Sequence, residues 1–245
     1  MKIAPLFLVL LLIGCQKTKS KAPESITELP VIQENTVISP DEKIIKTDTI
    51  ALYTDGKESA EDYILANLTE QKADQDSIVT VKYRLDFYQN KVKTTSSKIT
   101  IEGFQKGSEW VASYGLNSEG SARSPFIQVS VGYPACGYTH DNYLYYFKNS
   151  SLQLVHQWST MTDSGWGSWI EIVSPESSSD PKSFYCKTVA FEPSDDENQD
   201  MGIVKYSDSI TFELKNYQWK KLLLSAKDKP YFEKKMSFDE FHNQQ

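Results

Sequence analysis

The stretch from Gly132 to Trp169 is the densest part of the chain in polar and aromatic side chains that could bind a ligand. Its glycines and its proline mark loops with special backbone angles, and loops held by a rigid sheet are where binding residues concentrate. Large aromatic side chains also fill half-buried pleated surfaces, which is the alternative for this stretch. We predict a binding site composed of six of its residues, namely Tyr138, His140, Asp141, Asp163, Trp166 and Trp169.

The sequence does not match the known residue patterns for nucleophilic catalysis. The chain has three histidines, and a serine nucleophile would have to use His140 or His156, because His242 lies close to the C-terminus. The run Asp163-Ser164-Gly165-Trp166-Gly167 lacks the first glycine of a GxSxG nucleophile elbow. His156 stands in an alternating, strand-like segment, where we expect it to lie on the surface.

A pair of carboxylates is the other arrangement that could do chemistry. Glycoside hydrolysis needs two carboxyl groups about 5–10 Å apart, and the candidates here are Asp141, Asp163 and Glu171. The sequence does not bring them together. His140 and His156 are too far apart in the chain for a known zinc-ligand spacing. We therefore expect no metal and no cofactor, and we keep a cell-wall or glycan hydrolase as the alternative function.

The N-terminus has the pattern of an export signal. Lys2 precedes an apolar run from Ile3 to Ile13. The run is shorter than the roughly 20 residues of a membrane-spanning helix, and it suits a secretory signal peptide. It ends in Leu12-Ile13-Gly14-Cys15, which resembles the lipobox of bacterial lipoproteins. The alternatives are an ordinary cleaved signal with a chance cysteine, or a buried N-terminal helix.

The lipoprotein resemblance carries implications for processing and location. It implies that residues 1–14 are a signal peptide and that Cys15 is acylated, becomes the mature N-terminus and anchors the protein in a membrane. Gln16 stands where an aspartate would favour retention at the inner membrane. By the same analogy we expect the protein in the cell envelope at the outer membrane, on its periplasmic face rather than at the cell surface.

Two cysteines remain once Cys15 carries lipid. Cys136 and Cys186 would lie in an oxidising compartment, where disulfides persist, and we predict a disulfide between them. The alternatives are two unpaired buried thiols that pack as small hydrophobic groups, or, less favoured, a metal site.

The charge of the chain limits the classes of partner. The formal net charge is −7, and basic residues form only short pairs such as Lys220-Lys221, which we expect on the surface. Such a chain has no general attraction to nucleic acid, so we expect no nucleic-acid partner. The expected partners are the membrane, through Cys15, and an envelope protein or a glycan.

Residues 15–45 are typical of a lipidated flexible tether, because prolines and charges interrupt them and no apolar period is sustained. Residues 46–245 are predicted to form one β-rich domain. A helix is predicted to begin at Ser59, where a serine and an acid three residues later resemble a capping box before an apolar stripe, and to end near Lys72–Gln75. A second, short helix is predicted to begin at Ser237.

The rest of the domain is predicted to be β. Hairpin turns are expected at Lys148–Ser151 and Lys215–Gln218. The fold class is therefore mainly β, an antiparallel β-sandwich or a partly closed barrel with one N-terminal helix and a short C-terminal helix. Alternating or apolar runs predict strands at Ile78–Tyr88, Lys98–Phe104, Glu109–Tyr114, Phe126–Tyr133, Tyr143–Phe147, Leu152–Trp158, Trp166–Val173, Phe184–Phe191, Ile203–Tyr206, Ile210–Leu214 and Trp219–Leu224.

Three functions of different classes fit this sequence. The first is a non-enzymatic binding module that recognises a protein partner or a glycan, including an inhibitor or immunity-type protein. The second is the hydrolase with Asp141 and Asp163 as acid and base. The third is a structural component of an outer-membrane assembly that docks partners on an edge strand.

Overall fold

The computed structural model describes residues 27–29, 42–54, 56–116, 124–174, 178–195 and 200–244. The predicted signal peptide, Cys15 and most of the predicted tether lie outside the described residues. Among the described residues, no helix is both long and apolar enough to cross a membrane.

The described residues form strands and one short helix, so the mainly β fold is confirmed. The helix, α1, is Phe238–His242 and follows Ser237, whose side chain accepts a hydrogen bond from the Glu240 backbone, so the predicted C-terminal helix is confirmed. The strands are β1 (Thr27–Leu29), β2 (Lys46–Thr54), β3 (Lys57–Ala73), β4 (Val79–Gln89), β5 (Val92–Ile101), β6 (Glu109–Tyr114), β7 (Phe126–Gly132), β8 (Thr139–Lys148), β9 (Ser151–Asp163), β10 (Trp166–Val173), β11 (Ser183–Pro193), β12 (Met201–Lys215), β13 (Gln218–Leu223) and β14 (Phe232–Ser237).

All of these strands belong to one continuous sheet. Their order is β1-β13-β12-β11-β10-β9-β8-β7-β6-β2-β3-β4-β5, and β14 pairs with β12 as well. Every pair is antiparallel except β2 with β6, which run parallel over a short contact at Leu52 and Tyr53. Among the described strands nothing joins β5 to β1, so the sheet is open.

The central strands of the sheet bury side chains on both faces. In β8, Tyr143, Tyr145 and Phe147 point into a first core, whereas Leu144 and Tyr146 point into a second. Strands β2–β6 cover the first core, and we call that half the N-lobe. Strands β10–β14 and α1 cover the second core and a smaller third one, and we call that half the C-lobe. Strands with apolar residues in successive positions are typical of sheets buried on both sides.

The helix predicted from Ser59 is wrong, because these residues form strand β3. The predicted apolar stripe has a spacing of four residues, at Ala60, Ile64 and Leu68. This spacing fits one face of a helix, but it also fits one face of a strand, because every second residue of a strand shares a face. Ile64, Ala66 and Leu68 are all buried in the first core, which is a period of two. Strands β2 and β4 pair with β3 on its two edges and supply hydrogen bonds that the local sequence does not reveal.

Asparagine-containing turns close three of the hairpins. Asn149 and Ser150 both have positive φ, as do Asn216 and Tyr217, so both predicted hairpin turns are confirmed. Two consecutive positive φ values are the signature of a type I′ turn, and its twist matches that of the flanking strands. Asn90 and Lys91 form the same kind of turn between β4 and β5.

The N-lobe has an incomplete edge. Strand β5 lies against β9 across the mouth of the first core, but the two strands do not pair. We call this gap the seam.

Candidate functional site

A cavity of about 660 Å³ opens at the seam, and we call it the seam cavity. Its volume falls in the range of about 300–1,000 Å³ that is usual for small-molecule sites. The end of β5 and the loop after it form one wall, β9 forms the other, and β7 and β8 form the floor. The lining residues are Thr100, Ile101, Glu102, Gly103, Phe104, Gln105, Ser108, Val131, Gly132, Gly137, Tyr138, Thr139, Asp141, Tyr143, Gln157 and Ser159.

The loop between β7 and β8 holds Tyr138 at the rim of this cavity. The Gly137 amide donates a hydrogen bond of 2.9 Å to the Thr162 carbonyl, which ties the loop to the end of β9. The Tyr138 ring packs on the Tyr133 ring with 4.7 Å between centroids. Gly107, in the loop between β5 and β6, also lies close to the Tyr133 ring, because a Cβ added there would be 3.2 Å from the ring. Tyr138 is therefore an exposed aromatic surface on a supported loop.

A β-bulge in β9 decides which of its side chains reach the cavity. Leu144 lies opposite His156 and Tyr145 lies opposite Leu154, so Val155 is the extra residue. Before the bulge, Leu154 packs on the first core. After it, the alternation is shifted by one residue, and Gln157 and Ser159 face the cavity.

The same bulge turns His156 toward the C-lobe. Its ring is half-buried and lies 5.3 Å from the Phe212 ring, so its expected place on the surface is wrong. Burial, with a smaller effect from the charge of Lys221, lowers the pKa of His156 to about 3. The imidazole is therefore neutral near neutral pH.

The cavity is acidic and rich in hydrogen-bonding groups. The only charged side chains among its lining residues are Glu102 and Asp141. Asp141 accepts a hydrogen bond of 2.9 Å from the Ser159 hydroxyl across the β8–β9 pair. Burial, assisted by the charge of Asp141, raises the pKa of Tyr143, so its phenol stays protonated. These groups favour a cationic or neutral polar ligand.

The structure brings together two of the six predicted site residues, Tyr138 and Asp141. His140 is adjacent to Asp141 on β8 and therefore points to the opposite face of the sheet. There its Nε2 atom lies 2.9 Å from the Tyr133 carbonyl oxygen, and its ring covers Gly132.

The two predicted tryptophans belong to the packing of the C-lobe. Trp166 stacks on Phe191 with 4.4 Å between ring centroids. The Trp169 ring packs edge-on against the Phe241 ring of α1, with 5.9 Å between ring centroids. Both rings pack against the third core, so they are half-buried structural residues.

The backbone positions of the candidate acid and base are far apart in the register of β8 and β9. Asp141 lies opposite Ser159, and Asp163 is four residues further along, which is about 13 Å at about 3.3 Å per residue. The usual separation of glycosidase carboxylates is about 5–10 Å. The register of β8 and β9 therefore does not support a hydrolase that uses Asp141 and Asp163 as its two carboxylates.

The predicted disulfide is wrong, because Cys136 and Cys186 are both free thiols. Cys136 is exposed in the loop between β7 and β8, whereas Cys186 on β11 is buried in the second core. A disulfide needs two Cβ atoms about 3.5–4.5 Å apart, and a side chain packed into the C-lobe core does not face that exposed loop. Burial raises the pKa of Cys186 to about 12, which makes its thiol unreactive.

We expect iodoacetamide to alkylate Cys136 in the native protein and to reach Cys186 only after unfolding in urea, because the reagent needs an accessible thiolate. Mass spectrometry of proteolytic peptides measures each site separately. A linked Cys136–Cys186 peptide that disappears on reduction would contradict the structure.

Sequence reasoning missed a buried ionic network on the outer face of β4. Arg84 and Asp86 alternate with the first-core residues of β4 and so face away from that core, yet both side chains are buried. Two hydrogen bonds of 3.0 and 3.1 Å run from the Arg84 guanidinium to the Asp86 carboxylate. Glu42 pairs with Arg84 at 3.1 Å, and Lys93 pairs with Asp86 at 2.9 Å. Burial would raise the pKa of Asp86, but hydrogen bonds from Arg84, Ser96 and Lys93 outweigh it and lower the pKa.

A charged residue, Lys221, is also partly buried in the C-lobe. Lys221 is expected on the surface, but its side chain is half-buried. On β13 it lies on the same face as Trp219 and Leu223, which are both in the second core. Burial lowers its pKa. Positions 219, 221 and 223 share one face of a strand. This period of two is the sequence signal that could have predicted the burial of Lys221.

Within the described ranges, no group of three or more His, Cys, Asp or Glu side chains is arranged to hold a metal ion. The seam cavity is thus the site that combines volume, an aromatic rim and convergent polar groups. Searches of protein-family models, curated proteins and solved structures with this chain found no match.

Proposed function

We propose that this protein is a lipid-anchored binding module of the bacterial cell envelope that acts without catalysis by holding a ligand in the seam cavity. The observation that carries the proposal is the cavity itself, where the exposed ring of Tyr138 and the carboxylates of Asp141 and Glu102 face one volume. Aromatic surfaces beside a few fixed polar groups are typical of sites that bind and orient a ligand. The same cavity serves an inhibitor or immunity-type protein if the partner inserts a loop.

The test compares ligand capture by the full-length protein with capture by Tyr138→Ala and Asp141→Asn variants. Envelope extract is the source, and bound proteins and glycans are both identified. We expect a ligand that the wild-type protein retains and both variants lose, because one change removes the aromatic surface and the other removes a charge.

The control is Tyr217→Ala, which removes a tyrosine that is 90 % exposed beside a separate cavity. That cavity lies at the hairpin ends of β8 and β9, away from the seam. Capture by this variant should match the wild type. Equal capture by all four proteins would overturn the proposed site.

The proposed anchor is the acylated Cys15, with the outer membrane as its location. Its support is the sequence pattern that ends at Gly14-Cys15. Each buried acyl methylene contributes about 0.8 kcal/mol, and stable attachment needs more than one chain.

We expect Cys15→Ser to move the protein from the membrane pellet to the soluble fraction and to abolish incorporation of labelled palmitate. Immunoblots of separated inner and outer membranes then show where the wild-type protein resides. Unchanged membrane association of the variant would rule out the lipid anchor, and residence in the inner membrane would contradict only the location.

A further inference from the structure

The seam cavity lies between two strand edges that have no pairing partner among the described strands. Strand β5 pairs with β4 and with no other described strand. Strand β9 pairs with β8 along its length, but with β10 only at Met161, Thr162 and Asp163. Over residues 151–160 its second edge has no backbone pairing partner among the described strands. At Gln153 this strand lies against β13, because the Gln153 side chain donates to the Trp219 carbonyl and accepts from the Trp219 amide.

Both edges reach the cavity. Thr100 and Ile101 of β5 line one side, and Gln157 and Ser159 of β9 line the other. In antiparallel sheets alternate residues direct their backbone N–H and C=O groups to each edge, so an unpaired edge presents a row of donors and acceptors. Such edges are templates for the pairing of another chain.

The negative charge of the cavity favours a basic peptide as the strand that would pair with these edges. Glu102 follows the end of β5 and Asp141 stands on the floor, and none of the described residues that line the volume is basic. Side chains of an extended peptide alternate between its two faces, so one in every two would point toward these carboxylates. A lysine or arginine at that position would meet an opposite charge.

We infer that the ligand of the seam cavity is an extended, basic peptide segment of a partner protein, which adds to the sheet as a strand at the edges of β5 and β9. This inference rests on the proposed function, because it names the occupant of the same site. Backbone pairing supplies affinity that depends little on sequence, and the acidic floor supplies the preference for basic side chains.

The test uses full-length protein and a library of capped hexapeptides in which every position samples all amino acids. We expect retained peptides to carry lysine or arginine at alternating positions. The best peptide is then titrated by calorimetry, and Asp141→Asn and Glu102→Gln should each weaken its binding by roughly ten- to a hundred-fold, the value of a charged hydrogen bond. Tyr217→Ala is again the matched control and should bind normally.

Two further readouts separate strand addition from simple charge attraction. A version of the peptide with alternate backbone amides N-methylated keeps its side chains but cannot pair, and it should lose at least about ten-fold in affinity. Binding of the unmodified peptide should slow hydrogen exchange in 98–102 and 157–160, the segments that would gain backbone partners.

The outcomes distinguish this inference from the proposed function. If no peptide binds but a panel of saccharides does, and Tyr138→Ala abolishes that binding, the cavity is a glycan site and the peptide inference is overturned. If the N-methylated peptide binds equally well, strand addition is overturned. If neither class binds and no ligand from envelope extract depends on Tyr138 or Asp141, the proposed function fails as well.

Discussion

Replacement of Gly167 by alanine is expected to lower the free energy of unfolding by about 4 kcal/mol or more, a loss that few single substitutions reach. Gly167 has a φ of 138°, and an added Cβ would lie 1.9 Å from the carbonyl oxygen of Met161. That oxygen belongs to the backbone of β9 at the start of its short pairing with β10. Relief of the clash requires β9 and β10 to separate at their short paired segment.

The matched control is Gly103→Ala. Gly103 has a φ of 71°, but no other group lies within 4 Å of its added Cβ. The control therefore isolates the cost of a left-handed backbone, about 1–2 kcal/mol. Urea unfolding followed by tryptophan fluorescence measures both variants. Equal losses for the two would mean that the contact between Gly167 and Met161 does not constrain the sheet.

Replacement of Asp86 by alanine has the second large expected effect, a loss of about 3–5 kcal/mol of unfolding free energy. The side chains of Arg84 and Asp86 are only 10 % and 6 % exposed. Without the carboxylate, the Arg84 guanidinium stays buried and keeps Glu42 as its close acidic partner among the described residues. A buried charge that loses its counter-charge costs far more than an exposed pair contributes.

The effect of this substitution should depend on pH. The folded state lowers the pKa of Asp86, so its contribution is complete above the unfolded value of about 3.9 and is lost as the pH falls through the folded value. The difference between wild type and Asp86→Ala should therefore shrink below about pH 4. Glu70→Gln, which alters an exposed pair with Lys72 and Lys82, is the control and should change little. A pH-independent difference would show that packing, not charge, explains the loss.

Local patterns were sufficient to predict most of the strands and turns. Glu109–Tyr114 and Trp166–Val173 begin and end where the sequence predicted. The turns at Asn149 and Asn216 were also predictable, because asparagine tolerates the positive φ that a tight hairpin needs. The C-terminal helix followed from Ser237 and the acids of its first turn.

The candidate site was predictable only in part. Tyr138 and Asp141 stand close together in the chain, and both reach the seam cavity. Glu102 and Phe104 come from a distant loop and carry no local signal of a site. His140 was grouped with its neighbours, although adjacent residues on a strand point to opposite faces.

The sequence by itself determined that this chain is β-rich, acidic and punctuated by hairpin turns, since these properties depend on composition and on residues a few positions apart. Only the tertiary structure decided that Ser59–Gln75 contributes a strand and that Arg84 is buried. The same holds for the bulge at Val155, which turns Gln157 toward the cavity. The physical reason is that burial, strand register and unpaired edges depend on which distant strands meet. Above all, the seam exists because β5 approaches β9 without pairing with it.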